Sequence, residues 1–160
     1  MKKILIMSLL LISVTVSFIG CGKNEEKLSK ELVKKFAIEM YNQSCDELEK
    51  VNSSEYSFDV FKDYFTEEGF KNFENDKVLL DYYNYIVKHK KNIVFFDISY
   101  NEVIHNNDSI SVRCTVSFNL MNKNLLEKNK TLIEELQNEL VITLIPVDGK
   151  WKIVKCHITL

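Results

Sequence analysis

Residues 110–120 alternate without a break. Ile110, Val112, Cys114, Val116, Phe118 and Leu120 share one parity, and Ser111, Arg113, Thr115, Ser117 and Asn119 share the other. A hydrophobic period of two is that of a β-strand with one core face and one wet face. Antiparallel sheets tolerate that division; parallel sheets, covered on both sides, do not. The chain must therefore pair this strand and cover its apolar side.

Partners are present on both sides in sequence. Val94, Phe96, Ile98 and Tyr100 alternate with Phe95, Asp97, Ser99 and Asn101, which predicts a strand. Val103 resumes the apolar series on the other parity, which predicts a bulge near Asn101. His105-Asn106-Asn107-Asp108 reads as the turn between the two strands. Residues 121–138 are open to two readings: Leu132, Ile133, Leu136 and Leu140 fit a helix, or the segment extends a strand around a long hairpin. Residues 140–147 form a strand apolar on both faces. Asp148-Gly149 is a two-residue hairpin signal, and 151–160 is its returning strand.

Before residue 92 the period is helical. Leu32, Val33, Phe36, Met40 and Tyr41 form a stripe, with Lys30, Glu31, Lys34, Lys35 and Glu39 outside it, and this helix fades at 42–44. Residues 46–51 allow one short turn. Phe58, Phe61, Tyr64 and Phe65 stand at helical spacing. Thr66 reads as an N-cap before Glu67 and Glu68, and Gly69 as an interruption before Phe70 and Phe73. Asn75 or Asp76 caps a last helix whose core side is Val78, Leu79, Tyr82, Tyr83, Ile86 and Val87. An aromatic stripe at this spacing is core packing far more often than a ligand box.

The first 20 residues are of another kind. Met1-Lys2-Lys3 precedes an apolar run over 4–19, broken off by Gly20-Cys21 and the polar stretch that follows. This is the layout of a secretory signal. The run is short for a bilayer span, which needs about 20 apolar residues. Phe18-Ile19-Gly20-Cys21 resembles the lipobox of bacterial lipoproteins, with Phe18 where that family usually has Leu. The resemblance implies cleavage between Gly20 and Cys21 and lipid attachment at Cys21. It also implies a place on the outer face of the cytoplasmic membrane. The chain then divides into a signal peptide (1–20), a lipidated tether (21–27) and one domain (28–160).

Without Lys2 and Lys3 the 21 basic residues become 19 against 23 acidic ones, a balance that does not suit nucleic acid. No polybasic tail reinforces membrane contact. Cys45, Cys114 and Cys156 remain after Cys21, without metal-ligand spacing, and read as small buried hydrophobes. In a meander, the 140–147 strand separates Cys114 from Cys156. Next-but-one strands lie about 9.6 Å apart, too far for a disulfide.

Helices followed by about four antiparallel strands make an α+β fold. Val33-Lys34-Lys35-Phe36, the Phe-Thr-Glu-Glu-Gly-Phe passage at 65–70 and Asp148-Gly149-Lys150-Trp151-Lys152-Ile153 resemble NTF2-like (SnoaL-like, cystatin-related) domains. The resemblance implies a cone, a curved sheet wrapped around helices with a pocket at its open end. Tyr64, Tyr83, Tyr100 and Phe118 are the candidate pocket lining. Relatives use the cone as an enzyme site, a ligand pocket or a docking surface.

Enzymatic relatives place an acid/base Asp or His and a Tyr in the pocket; here Asp97, Tyr100 and His157 are the candidates. Their parities do not bring two polar groups to the core side, as acid–base chemistry requires. No phosphate loop, nucleophile elbow or zinc motif occurs. Arg113 and the 134–139 glutamates read as solvated charges. The sequence thus favours a non-catalytic domain, without cofactor or metal, that binds a protein partner or a small apolar ligand. A SnoaL-like enzyme acting on a small molecule is the alternative, to be favoured if buried polar pairs line the pocket.

The lipobox reading predicts that Cys21→Ser abolishes lipidation. Metabolic labelling with a radioactive fatty acid should mark the wild type and not the variant; equal labelling of both sinks the assignment.

Overall fold

The computed structural model describes residues 24–52, 58–123 and 133–159. The stretch expected to be a signal peptide, its expected cleavage site and Cys21 lie outside the described residues. Helix α1 covers 24–40, so it starts earlier than the expected boundary at Leu28 and takes in residues 24–27, expected to belong to a tether. Val33, Phe36, Ala37 and Met40 form its buried stripe.

α2 is Cys45–Asn52. Ser44 and Glu47 cap it reciprocally: the Glu47 N–H donates to Ser44 Oγ (3.2 Å) and the Ser44 N–H to Glu47 Oε2 (2.9 Å). This is a capping box, and its backbone bond holds the Glu47 carboxyl below its usual range. A 3₁₀ helix, Phe58–Tyr64, leads into α3 (Glu67–Glu74) and α4 (Lys77–Lys88). The predicted caps are in place. Thr66 Oγ1 accepts from the Gly69 N–H, and the Asp76 side chain accepts from Val78 and Leu79.

Four strands follow, β1 (Lys91–Asn106), β2 (Ser109–Asn122), β3 (Ile133–Val147) and β4 (Lys150–Thr159). They form one antiparallel sheet in chain order. The class and order are those expected, helices first and then a four-stranded antiparallel meander. Residues 133–139 resolve as strand rather than helix. Asp148 (φ 50°) and Gly149 (φ 75°) make the tight turn with both φ positive. β3 lies between Cys114 and Cys156, which pair with Leu140 and Ile142 of that strand. Cys45, Cys114 and Cys156 are free thiols.

β2 keeps one register along its whole contact with β3, and its even-numbered residues from Ile110 to Leu120 are all buried. β1 does not. The bulge expected at Asn101 is there, because Tyr100 faces Cys114 and Glu102 faces Arg113. A second one lies at Phe96, between the Phe95–Phe118 and Asp97–Ser117 pairs. It overturns the expected face for the start of the strand. Ile93 is buried and Phe95 packs against the core, while Phe96 is 73% exposed. On β4, Ile153 faces Leu144 and Lys155 faces Thr143, so Val154 is the extra residue. That bulge joins Ile153 to Cys156 and Ile158 on the core side, across what sequence parity divides.

Gly69 does not interrupt α3; it lets the helix touch β4. A Cβ there would stand 2.5 Å from the Ile153 carbonyl oxygen and 3.0 Å from Val154 Cα. The same carbonyl accepts from the Thr66 N–H (3.0 Å). Above the sheet, Phe36 packs edge-on against Phe61, Phe65 and Phe73, at centroid distances of 5.4–5.8 Å. Apart from Tyr64, the aromatic stripe is core, as its spacing implied.

Two substitutions test this packing. Gly69→Ala gains about 1 kcal/mol of helix propensity but meets unyielding backbone, at about 1–3 kcal/mol for overpacking. Net loss of stability by chemical denaturation is expected, and a gain would mean that α3 does not rest on β4. Gly149→Val has open space around it and suffers only the left-handed backbone, about 1–2 kcal/mol. An unchanged melting temperature would contradict that turn.

Candidate functional site

The meander has a geometric consequence. Both tight turns, 107–108 and 148–149, lie at one end of the sheet, and α1 begins at that same end. His105 Nε2 stands 3.9 Å from Glu26 Oε2. The Tyr100 hydroxyl donates to the Lys30 carbonyl (2.7 Å).

Between α1 and the β3–β4 turn a groove opens, with room of about 380 Å³. One helical stripe, Leu28, Glu31, Leu32 and Lys35, forms one wall; Asp63 and Tyr64 close the floor; Gly149 to Lys152 form the other wall. The apolar part is Leu28, Leu32, Tyr64 and Trp151. Leu28 is 45% exposed, a high value for leucine at the edge of a core. Two bonds hold the walls. The Tyr64 hydroxyl donates to Glu39 Oε1 (2.8 Å), and Lys152 Nζ donates to the Asp63 carbonyl. Burial, with that carboxylate beside it, pushes the Tyr64 phenol up. Lys35 and Lys150 are exposed at the rim.

The four residues expected to line a pocket are not brought together. Tyr64 lies in the groove. Tyr100 borders a second hollow, with Glu26, Lys27, Lys30, Glu31 and Lys34, and burial pushes its phenol up to about 12. Tyr83 and Phe118 are buried in the core, at 3% and 1% exposure. The catalytic candidates are likewise dispersed. Asp97 and His157 are exposed on the first and last strands of the sheet. The Tyr100 hydroxyl is committed to helix α1. Among the described residues no group of three His, Cys, Asp or Glu comes together as a metal site.

One buried polar pair does occur on the core side. Asn138 Nδ2 donates to the Tyr41 hydroxyl (3.0 Å), and both residues are almost fully buried. The Tyr41 ring packs at 4.8 Å on Phe118. Burial pushes the Tyr41 phenol far up, so it stays protonated. Neither residue lines the groove. The pair therefore specifies how α1 meets β3 and does not serve as an acid–base couple in an open pocket. The signal for it was the alternation of Leu136, Leu140, Ile142 and Leu144, which puts position 138 on the core face once the segment is a strand.

No protein-family model matches the chain, and no curated protein does. Solved structures align with most of the chain at low identity. The periplasmic domain of DotI aligns with a TM-score of 0.53 at 11% identity, covering 81% of this chain and 91% of that one. The intermembrane space region of the chloroplast protein ARC6 gives 0.49 at 10% identity, covering 82% and 94%. A designed NTF2-like protein gives 0.33 at 15% identity, covering 81% and 99%.

The Tyr41–Asn138 pair is testable by a double-mutant cycle. Tyr41→Phe leaves the buried amide unpaired, at about 1–3 kcal/mol. Asn138→Leu leaves the hydroxyl unpaired at a similar cost. The double variant should recover part of the loss, with a coupling above about 0.5 kcal/mol. Strict additivity in urea denaturation would show that the bond contributes nothing.

Proposed function

We propose that this chain is an extracytoplasmic lipoprotein, held at the membrane through Cys21. Its NTF2-like domain works by binding rather than by catalysis, and the groove between α1 and the β3–β4 turn is its contact surface. The observation that carries the reading is the groove itself. It combines half-open apolar side chains, Leu28, Leu32 and Trp151, with a lysine rim. Concave, mainly apolar surfaces with a few placed polar groups are the usual form of a binding site. The catalytic candidates stand apart from it. The DotI domain of similar fold is periplasmic, which supports placing this fold in an extracytoplasmic compartment. Lipid attachment supplies the place, since two or more acyl chains hold a protein stably.

The test is site-specific photo-crosslinking in membranes. A photoreactive residue replacing Leu32 should give an adduct; one replacing the exposed Val78 of α4 should give none. Absence of any adduct from position 32, or equal adducts from both, would remove the groove as the contact surface.

A further inference from the structure

The groove has a second property, its place relative to the anchor. Three residue steps separate Cys21 from Asn24, a reach of at most about 11 Å. From Asn24 to Leu28 the helix rises about 6 Å. The Leu28 end of the groove is therefore tied within about 17 Å of the lipidated residue, and the polar layer of one bilayer leaflet is itself about 5–8 Å deep. Both tight turns of the sheet lie at this end.

The chemistry at this end fits that neighbour. Trp and Tyr, apolar bodies with one polar handle, collect where one side is greasy and the other wet. Lysines bury their stems on apolar surface and keep the ammonium at the polar layer. The groove offers Trp151 and Tyr64 beside Leu28 and Leu32, with Lys35, Lys150 and Lys152 set among Glu31, Asp63 and the turn residue Asp148. Glu31 already has Lys27 at 3.9 Å. The remainder of the mature chain is net acidic. An anionic surface would thus attract the exposed rim lysines, Lys35 and Lys150, and repel the body.

We infer that the partner of the groove is the anionic lipid surface itself: the domain lies down on the membrane that holds it, with Trp151 in the headgroup layer. This rests on the lipid-anchored reading above. The folded lysine–aromatic patch then supplies the electrostatic contact.

Trp151 is the only tryptophan, so its fluorescence reports this contact without a label. The full lipidated chain is reconstituted into phosphatidylcholine vesicles with or without phosphatidylglycerol, and floated. With phosphatidylglycerol, the Trp151 emission should shift to the blue, lose access to iodide and be quenched by lipids brominated high on the acyl chain. Without it, or in Lys35→Glu/Lys150→Glu at an unchanged melting temperature, quenching should fall severalfold. A chain that floats with Trp151 unquenched and open to iodide in both vesicles overturns docking and leaves the anchor standing. A chain that does not float overturns the anchored reading and this inference with it. Protection of Trp151 only when other membrane proteins are added would make the partner a protein and overturn the lipid assignment.

Discussion

One apolar face of a four-stranded sheet has to be hidden from water, and the rest of the fold serves that need. Val112, Cys114 and Val116 at its centre are fully buried, as are Leu140, Ile142 and Leu144 on β3. Each such side chain contributes about 1.5–3 kcal/mol when withdrawn from water. The cover is aromatic. Phe36 on α1 sits among Phe61, Phe65 and Phe73, and Tyr41 lies on Phe118. Rings of this size fill the concave side with few residues, which lets short helices suffice. The packing leaves the groove at the margin, where α1 projects toward the β3–β4 turn.

The parts of the fold legible in the sequence were those in which local pattern and tertiary environment agree. β2 reads cleanly because its neighbours hold it in an unbroken register on the β3 side. The caps at Thr66 and Asp76 read cleanly because a cap is satisfied within three residues. The bulge at Phe96 did not read, since Phe95-Phe96 is apolar on both parities and nothing local says which ring turns out. The bulge at Val154 hides in the same way between Ile153 and Cys156. Gly69 has two meanings in a sequence, interruption or close approach, and only the Ile153 carbonyl against it decides. Ser44 and Glu47 carry a capping box that a polar passage concealed.

The site was less legible than the fold. Tyr64 was identified by type, yet its companions come from three separate places in the chain, a helix stripe, a 3₁₀ turn and a hairpin. Leu28 and Leu32 look like ordinary helix apolar positions, and Trp151 like an ordinary hairpin aromatic. Tyr83 and Phe118 have the composition of pocket residues and the surroundings of core ones. Periodicity reports which face is buried and says nothing of where a buried face runs out. That boundary, where Leu28 is left half covered, is a property of assembled elements.

The three register breaks fall on β1 and β4, the two margins of the sheet; the β2–β3 contact has none. An unpaired margin is a template on which another chain can add as a fifth strand. An extra residue kinks the strand and spoils the spacing of its free N–H and C=O groups. Lys150, Lys152 and Lys155 along β4 place like charges where two copies would meet edge to edge. Phe95 and Tyr100 secure the inner side of β1 while Phe96 and Asn101 distort its rim. A sheet so finished resists self-stacking even where many copies share one crowded surface.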